Sequence, residues 1–234
     1  GGMSTGSQVS SNSVFVMGGT MSGVYGAYSA AGSATGNSVY ISDGTVADLV
    51  VGGAGVDATE NTVDIYDTAN LATAGIFGGY GIGGDKFTGN TLNVHGVMSV
   101  KQVGNFENYN FYLPQTMVAG DTALSVTGNT AVDLSGTTVN VGIEGGSTAL
   151  AEGDRVVLID ATSGINGAPV NTRADGKGMQ GVTIEYTFAL SVSADQLMAT
   201  VRSAAASEGA QALSEGFLAG AALWTARAHL RDAW

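Results

Sequence analysis

Apolar and polar positions alternate in short bursts along the first hundred residues, and the bursts recur. Four share one pattern: an Asn, a small hydroxyl residue, an apolar residue, any residue, and a second apolar residue. They are Asn12-Ser13-Val14-Phe15-Val16, Asn37-Ser38-Val39-Tyr40-Ile41, Asn61-Thr62-Val63-Asp64-Ile65 and Asn90-Thr91-Leu92-Asn93-Val94. Their asparagines stand 25, 24 and 29 residues apart. A second pattern, apolar-apolar-Gly, follows the first three bursts as Val24-Tyr25-Gly26, Val51-Gly52-Gly53 and Ile76-Phe77-Gly78-Gly79, with a weaker Val103-Gly104 after the fourth. Alternation of this kind predicts strands with one buried face. Each burst ends at Gly, Asn or Asp, which tolerate positive φ or bond their own backbone.

A strand of three to five residues can neither bury its face nor pair its backbone alone. Repeats at one period therefore predict a solenoid, in which each unit forms one coil and equivalent residues stack about 4.8 Å apart. The Val, Ile and Leu columns become core. The repeated Asn is expected at a turn, in a left-handed conformation, with its side-chain amide bonding up and down a column.

The repeat loosens from about Val97, although strand-like runs persist at Leu124–Val126, Val132–Leu134, Val139–Val141 and Val156–Ile159. The run Val182–Leu190 is expected to pair with Gln196–Val201 as an antiparallel hairpin that covers the last coil. The two prolines, Pro114 and Pro169, fall between strand runs. From Ser203 to Trp234 the spacing of Leu213, Phe217, Ala221, Trp224 and Ala228 predicts a helix with one apolar face. Gly216 and Gly220 would let that helix approach a partner surface closely.

Composition narrows function. The 234 residues carry 20 acidic and 8 basic side chains, a net charge of −12, and no cysteine. Residues 1–100 hold one basic residue, Lys86, against seven Asp and Glu. Nucleic acid is excluded as a partner, because neutralising phosphates needs clustered Lys and Arg. Disulfides, thiolate metal sites and a Cys nucleophile are excluded as well. With no signal-peptide pattern and no apolar run long enough to span a bilayer, the chain reads as a mature or excised piece of something longer.

Candidate chemistry is sparse. Gly2-Met3-Ser4-Thr5-Gly6 satisfies Gly-x-Ser-x-Gly, but no strand precedes it as a nucleophile elbow requires. His95 and His229 are the only histidines and the only candidates for general base or imidazole metal ligand. Gly52-Gly53-Ala54-Gly55-Val56-Asp57 matches a calcium-binding nonapeptide core, yet the next unit, Gly78 to Gly83, lacks the Asp, so Asp57 reads as a turn residue. We therefore expect no catalytic, cofactor-binding or metal-binding residue and no enzyme. Tyr25, Tyr28, Tyr40, Tyr66 and Tyr80 could form a sugar or protein contact stripe where they face outward, with packing as the default role.

The residues resemble the autotransporters, the type V secretion proteins of Gram-negative bacteria. The Asn-x-Val-x-Ile and Val-x-Gly-Gly units look like passenger repeats. Phe111-Tyr112-Leu113-Pro114, Leu124–Gly128 and Gly153–Asp160 are similar to the folding-promoting autochaperone segment, and Gln211–Gly220 to the linker before the outer-membrane β-barrel. The resemblance implies an all-β, right-handed parallel β-helix with a hairpin cap and a C-terminal α-helix. It divides the chain into repeats (1–106), terminal coils and cap (107–202) and linker helix (203–234). The barrel is absent, as is the Asn-Asn pair used for self-cleavage in one branch of the family. The implied function is a passenger stalk that templates its own folding during translocation to the cell surface. Its partners would be its own barrel and the outer-membrane assembly machinery. The alternative is an adhesin or self-associating module that uses the solenoid face against a host or against itself.

Overall fold

Residues 1–144, 149–175 and 184–206, with Ala212 and Glu215, are described by a computed structural model. The alternating bursts form parallel strands stacked in register. Val14, Val39, Val63, Leu92, Tyr109 and Val139 make one column, and Val16, Ile41, Ile65, Val94, Phe111 and Val141 make the next. From Val39 onward every member of both columns is buried. A second wall adds the buried column Val24, Val50, Ile76 and Val103. Enclosing a Val, Ile or Leu side chain in this way contributes roughly 1.5–3 kcal/mol. Only stacking can supply it, because no coil encloses anything by itself.

The result is a β-solenoid of about five turns. Its sequence period weakens sooner than its stacking does. Equivalent positions are separated by 25, 24 and 29 residues and then by 17 and 30. The strands Asn108–Leu113 and Thr138–Ile143 nevertheless extend the same ladder. Register is set by side chains of the strand, while turn length varies freely at low cost.

The asparagines form the expected column. Asn12 Nδ2 donates to Asn37 Oδ1 at 2.9 Å, Asn37 Nδ2 to Asn61 Oδ1 at 3.0 Å, and Asn61 Nδ2 to Asn90 Oδ1 at 3.2 Å. Each Oδ1 also accepts the backbone N–H of the preceding asparagine, at 3.1, 3.0 and 2.8 Å. Asn37, Asn61 and Asn90 are fully buried, so these bonds are obligatory rather than decorative. The column ends at Asn90, whose Nδ2 donates to the carbonyls of Ala58, Lys86 and Asn105. The next position is Glu107, which instead accepts the Gly89 N–H at 2.5 Å.

One detail of the expectation is corrected. The left-handed residue is not the Asn but the one before it: Ser11 (φ 57°), Gly36 (62°), Glu60 (59°) and Gly89 (69°). The corner is turned one position early, which leaves the Asn free to aim its amide inward.

The two recurring patterns turn out to be physical partners. A Cβ on Gly52 would lie 2.8 Å from Asn61 Cβ and 2.7 Å from the Gly78 carbonyl oxygen. On Gly78 it would lie 2.6 Å from Asn90 Cβ and 2.5 Å from the Asn105 carbonyl oxygen. The glycine wall is therefore where the chain passes closest to the amide column, and any side chain there would push it off.

At its C-terminal end the stack is closed by the expected hairpin. Met98–Val100, Thr122–Val126 and Arg155–Ala161 stack in parallel, and Gln196–Ala206 then pairs antiparallel with Arg155–Ala161. Ile184–Val192 completes the hairpin, and Arg173–Asp175 borders it. Tyr186, Phe188, Leu197, Ala199 and Val201 are buried, and the core runs unbroken from Val16 to Val201. An antiparallel hairpin ends a parallel ladder by occupying its edge.

The expected helix from Ser203 needs correction at its start: Ser203 through Ala206 prolong the hairpin strand, pairing with Thr187 through Ile184. Alternation in the partner strand holds these four residues extended, whatever their helix propensity. The residues that define its apolar face, Leu213, Phe217, Ala221, Trp224 and Ala228, lie outside the described residues, as do Gly216 and Gly220.

Candidate functional site

Two outward-facing features combine chemistry from several coils. The first is a polar and aromatic seam along the outer face of the first sheet. Asp64, Asn93, Asn110 and Asn140 share a register column. Asn93 Nδ2 donates to Asp64 Oδ1 at 2.7 Å, Asn110 Nδ2 to Asn93 Oδ1 at 2.8 Å, and Asn140 Nδ2 to Asn110 Oδ1 at 2.9 Å. This second amide ladder begins where the buried one is ending.

Beside it, Tyr66, His95 and Tyr112 occupy successive rungs with their rings nearly parallel, 4.1 Å and 4.2 Å apart between centroids. His95 Nδ1 is 2.6 Å from Glu144 Oε1, and its Nε2 is 3.8 Å from Asp64 Oδ1. Burial works against the charged imidazole, but hydrogen bonds and charge from Asp64 and Glu144 outweigh it and hold the His95 pKa above its ordinary value. Burial, the bond with Tyr40 and the neighbouring carboxylates push the Tyr66 hydroxyl up. Tyr112 is raised by burial, then by Asp64 and Glu144.

This arrangement suits cohesion more than catalysis. A general base needs a free imidazole nitrogen, and here a carboxylate faces each one. The carboxylates lie on opposite sides of the ring, so they do not converge on a point where an ion could sit. Among the described residues no group of three or more His, Asp and Glu is placed to hold a metal ion. The cluster instead ties together strands of four successive coils.

The second feature is an open groove of about 580 Å³ on the glycine-bearing wall. Tyr28, Ala54 and Tyr80 follow one another in one column, and Tyr25, Val51 and Phe77 in the neighbouring one. The outer coils thus contribute aromatic rings, while the middle coil contributes small or buried residues. Tyr25, Tyr28 and Tyr80 are 38%, 46% and 43% exposed, and Val51 on the middle coil is buried. The Tyr25 hydroxyl is held above its ordinary pKa by burial, then by Tyr80 and Asp48.

The five tyrosines singled out in the sequence therefore divide: Tyr25, Tyr28 and Tyr80 line the groove, whereas Tyr40 and Tyr66 pack in the seam. Ser4 Oγ accepts the Ser7 N–H at 3.0 Å in a local turn. Asp57 Oδ1 accepts the Asp85 N–H at 2.8 Å, bridging two turns. His229 lies outside the described residues.

The outer amide ladder, Tyr112 and Glu144 were missed in the sequence. Asn93 and Asp64 fell at the variable position of the repeat, and the 17-residue coil concealed that Asn110 and Tyr112 repeat Asn93 and His95. The alternation in Asn108-Tyr109-Asn110-Phe111-Tyr112 was the signal available. Compared with known proteins, the chain matches no family model, no curated protein and no solved structure.

Proposed function

We propose that the chain is a non-enzymatic stalk from the C-terminal part of an autotransporter passenger, displayed at the surface of a Gram-negative bacterium. On this reading the solenoid is right-handed and residues 207–234 continue into the linker helix. Leu213, Phe217 and Trp224 then pack within the pore of the protein's own outer-membrane β-barrel, which the assembly machinery inserts. The observation that carries the reading is the polarity of the stack. Its C-terminal end is closed by a hairpin on Arg155–Ala161, and each coil toward the N-terminus presents an edge and an amide acceptor to the coil before it. A chain emerging C-terminus first would form its cap early and add coils upon it, each new layer gaining ladder bonds and buried area only from the layer already folded.

The test is deletion of 107–202 in the native gene product, followed by protease treatment of intact cells. The expected result is a displayed passenger that is digested; a protease-resistant passenger at wild-type level would overturn the proposal.

A further inference from the structure

We propose that the N-terminal edge of the solenoid binds, in parallel, an extended peptide segment of the repeat's own chemistry: an Asn, then Ser or Thr, with apolar residues two and four positions after the Asn. Such binding needs only the folded chain and is independent of export.

The strand Ser13–Tyr25 pairs on one side only, with Ser38–Ala54. The Asn12 carbonyl accepts the Ser38 N–H at 2.8 Å, so Asn12 directs its backbone toward the next coil. By alternation Val14 and Val16 do the same, and Ser13 and Phe15 direct their N–H and C=O groups to the open edge. Asn12 Nδ2 spends its two protons on Asn37 Oδ1 at 2.9 Å and the Ser10 carbonyl at 3.0 Å. Its Oδ1 has no hydrogen-bond donor among the described residues.

The three junctions below show what that oxygen accepts. In each, the Oδ1 takes the N–H and the Nδ2 of the asparagine one coil earlier. The carbonyl of that earlier asparagine takes the N–H of the next residue: Ser38, Thr62 and Thr91, each at 2.8 Å. Asn12 Oδ1 and the Ser13 N–H therefore specify together an asparagine on a parallel strand. An apolar residue two positions later would lie over Val14, which is half-buried where Val39, Val63 and Leu92 are fully buried. One four positions later would lie over Val16.

Charge and symmetry select among occupants. Open edges are commonly blunted by charged residues or proline. Here the first charged side chain is Asp43 and the first proline Pro114, so nothing on the edge repels an uncharged strand. A second copy cannot stack head to tail, because the hairpin covers the C-terminal end. Two N-terminal edges would meet antiparallel, and the copy's Asn12 has no amide proton left to donate. A free segment with an uncommitted Asn meets both requirements.

The test adds an acetylated, amidated heptapeptide with the sequence Gly36 to Ser42 to residues 1–234, followed by NMR. Saturable binding is expected below about 10 mM, with slowed exchange at the Ser13 and Phe15 amides and no change across Gln196–Val201. Asn37→Ala in the peptide should weaken binding about tenfold, as should Asn12→Ala in the protein. The two together should cost no more than either alone, since both remove the same bonds. A peptide of reversed sequence should bind at least tenfold more weakly. The peptide variants act on the unaltered protein, so they decide the matter even where Asn12→Ala fails to fold.

No saturable binding, or equal binding by the Asn37→Ala or the reversed peptide, would overturn the proposal. Slowing of the same amides with rising protein concentration, without peptide, would assign the edge to a second copy instead.

Discussion

Replacing Asn61 by Ala isolates what the buried amide column contributes. Asn61 Oδ1 accepts two bonds from Asn37, from its backbone N–H and from its Nδ2, both at 3.0 Å. Asn61 Nδ2 donates to the Ala34 carbonyl at 3.1 Å and to Asn90 Oδ1 at 3.2 Å. Asn90 Oδ1 keeps the Asn61 backbone N–H at 2.8 Å after substitution, so it loses little. Asn37 fares worse. Its N–H loses its acceptor, and its Nδ2 retains only a weak bond to the Val9 carbonyl at 3.5 Å. A buried donor without a partner costs about 1–3 kcal/mol, so two of them cost about 2–6 kcal/mol. The space left by the amide adds to that. Set against a typical domain stability of about 5–15 kcal/mol, the substitution removes a large share.

Asn12→Ala is the internal control. The Asn12 backbone N–H still donates to Asn37 Oδ1, the residue is half-buried, and the expected loss is below about 1 kcal/mol. Guanidinium unfolding followed by far-ultraviolet circular dichroism measures both through the shift in midpoint at constant slope. Equal losses, agreeing within about 0.5 kcal/mol, would refute the view that the column is held by satisfied buried donors.

Three further outcomes follow from the same geometry. Gly52→Ala should destabilise by about 3 kcal/mol or more, because its Cβ meets backbone rather than a movable side chain, whereas Gly6→Ala, with open space around it, should stay within about 0.5 kcal/mol; thermal unfolding of the two variants compares them. Tyr109 places a fully buried hydroxyl with no hydrogen-bond partner in the core, so Tyr109→Phe should keep or raise stability by up to about 1 kcal/mol, and a clear loss in denaturant titration would indicate an overlooked partner.

The third concerns pH. His95 is held above its ordinary value of 6.5, so its contribution to stability is complete below about pH 6.5 and declines as pH rises through the folded-state value. The total change is about 1.4 kcal/mol for each pH unit by which the folded value exceeds the unfolded one. Melting temperatures measured across that window should fall in the wild type and flatten in His95→Gln; the same slope in both would remove His95 as the source.

How much of this was legible beforehand depends on the range of the cause. The periodic Asn, the alternating Val and Ile and the Gly pairs each carry a local reason, and together they specified the solenoid and its amide column. The hairpin of Ile184–Val192 with Gln196–Ala206 was equally readable, because alternation and a short turn define it locally. The continuation of the stack through Asn108–Leu113 and Thr138–Ile143 was not, since coils of 17 and 30 residues break the period while preserving the register.

Sequence by itself determined that short strands must stack and which residues face inward, because burial and backbone pairing leave a three-residue strand no other stable state. Tertiary structure alone decided which outward residues meet. His95 faces Glu144 from 49 positions away, and the Tyr66 and Tyr112 rings stack on its two sides, because winding brings rungs together by their order in the stack and not by their distance along the chain.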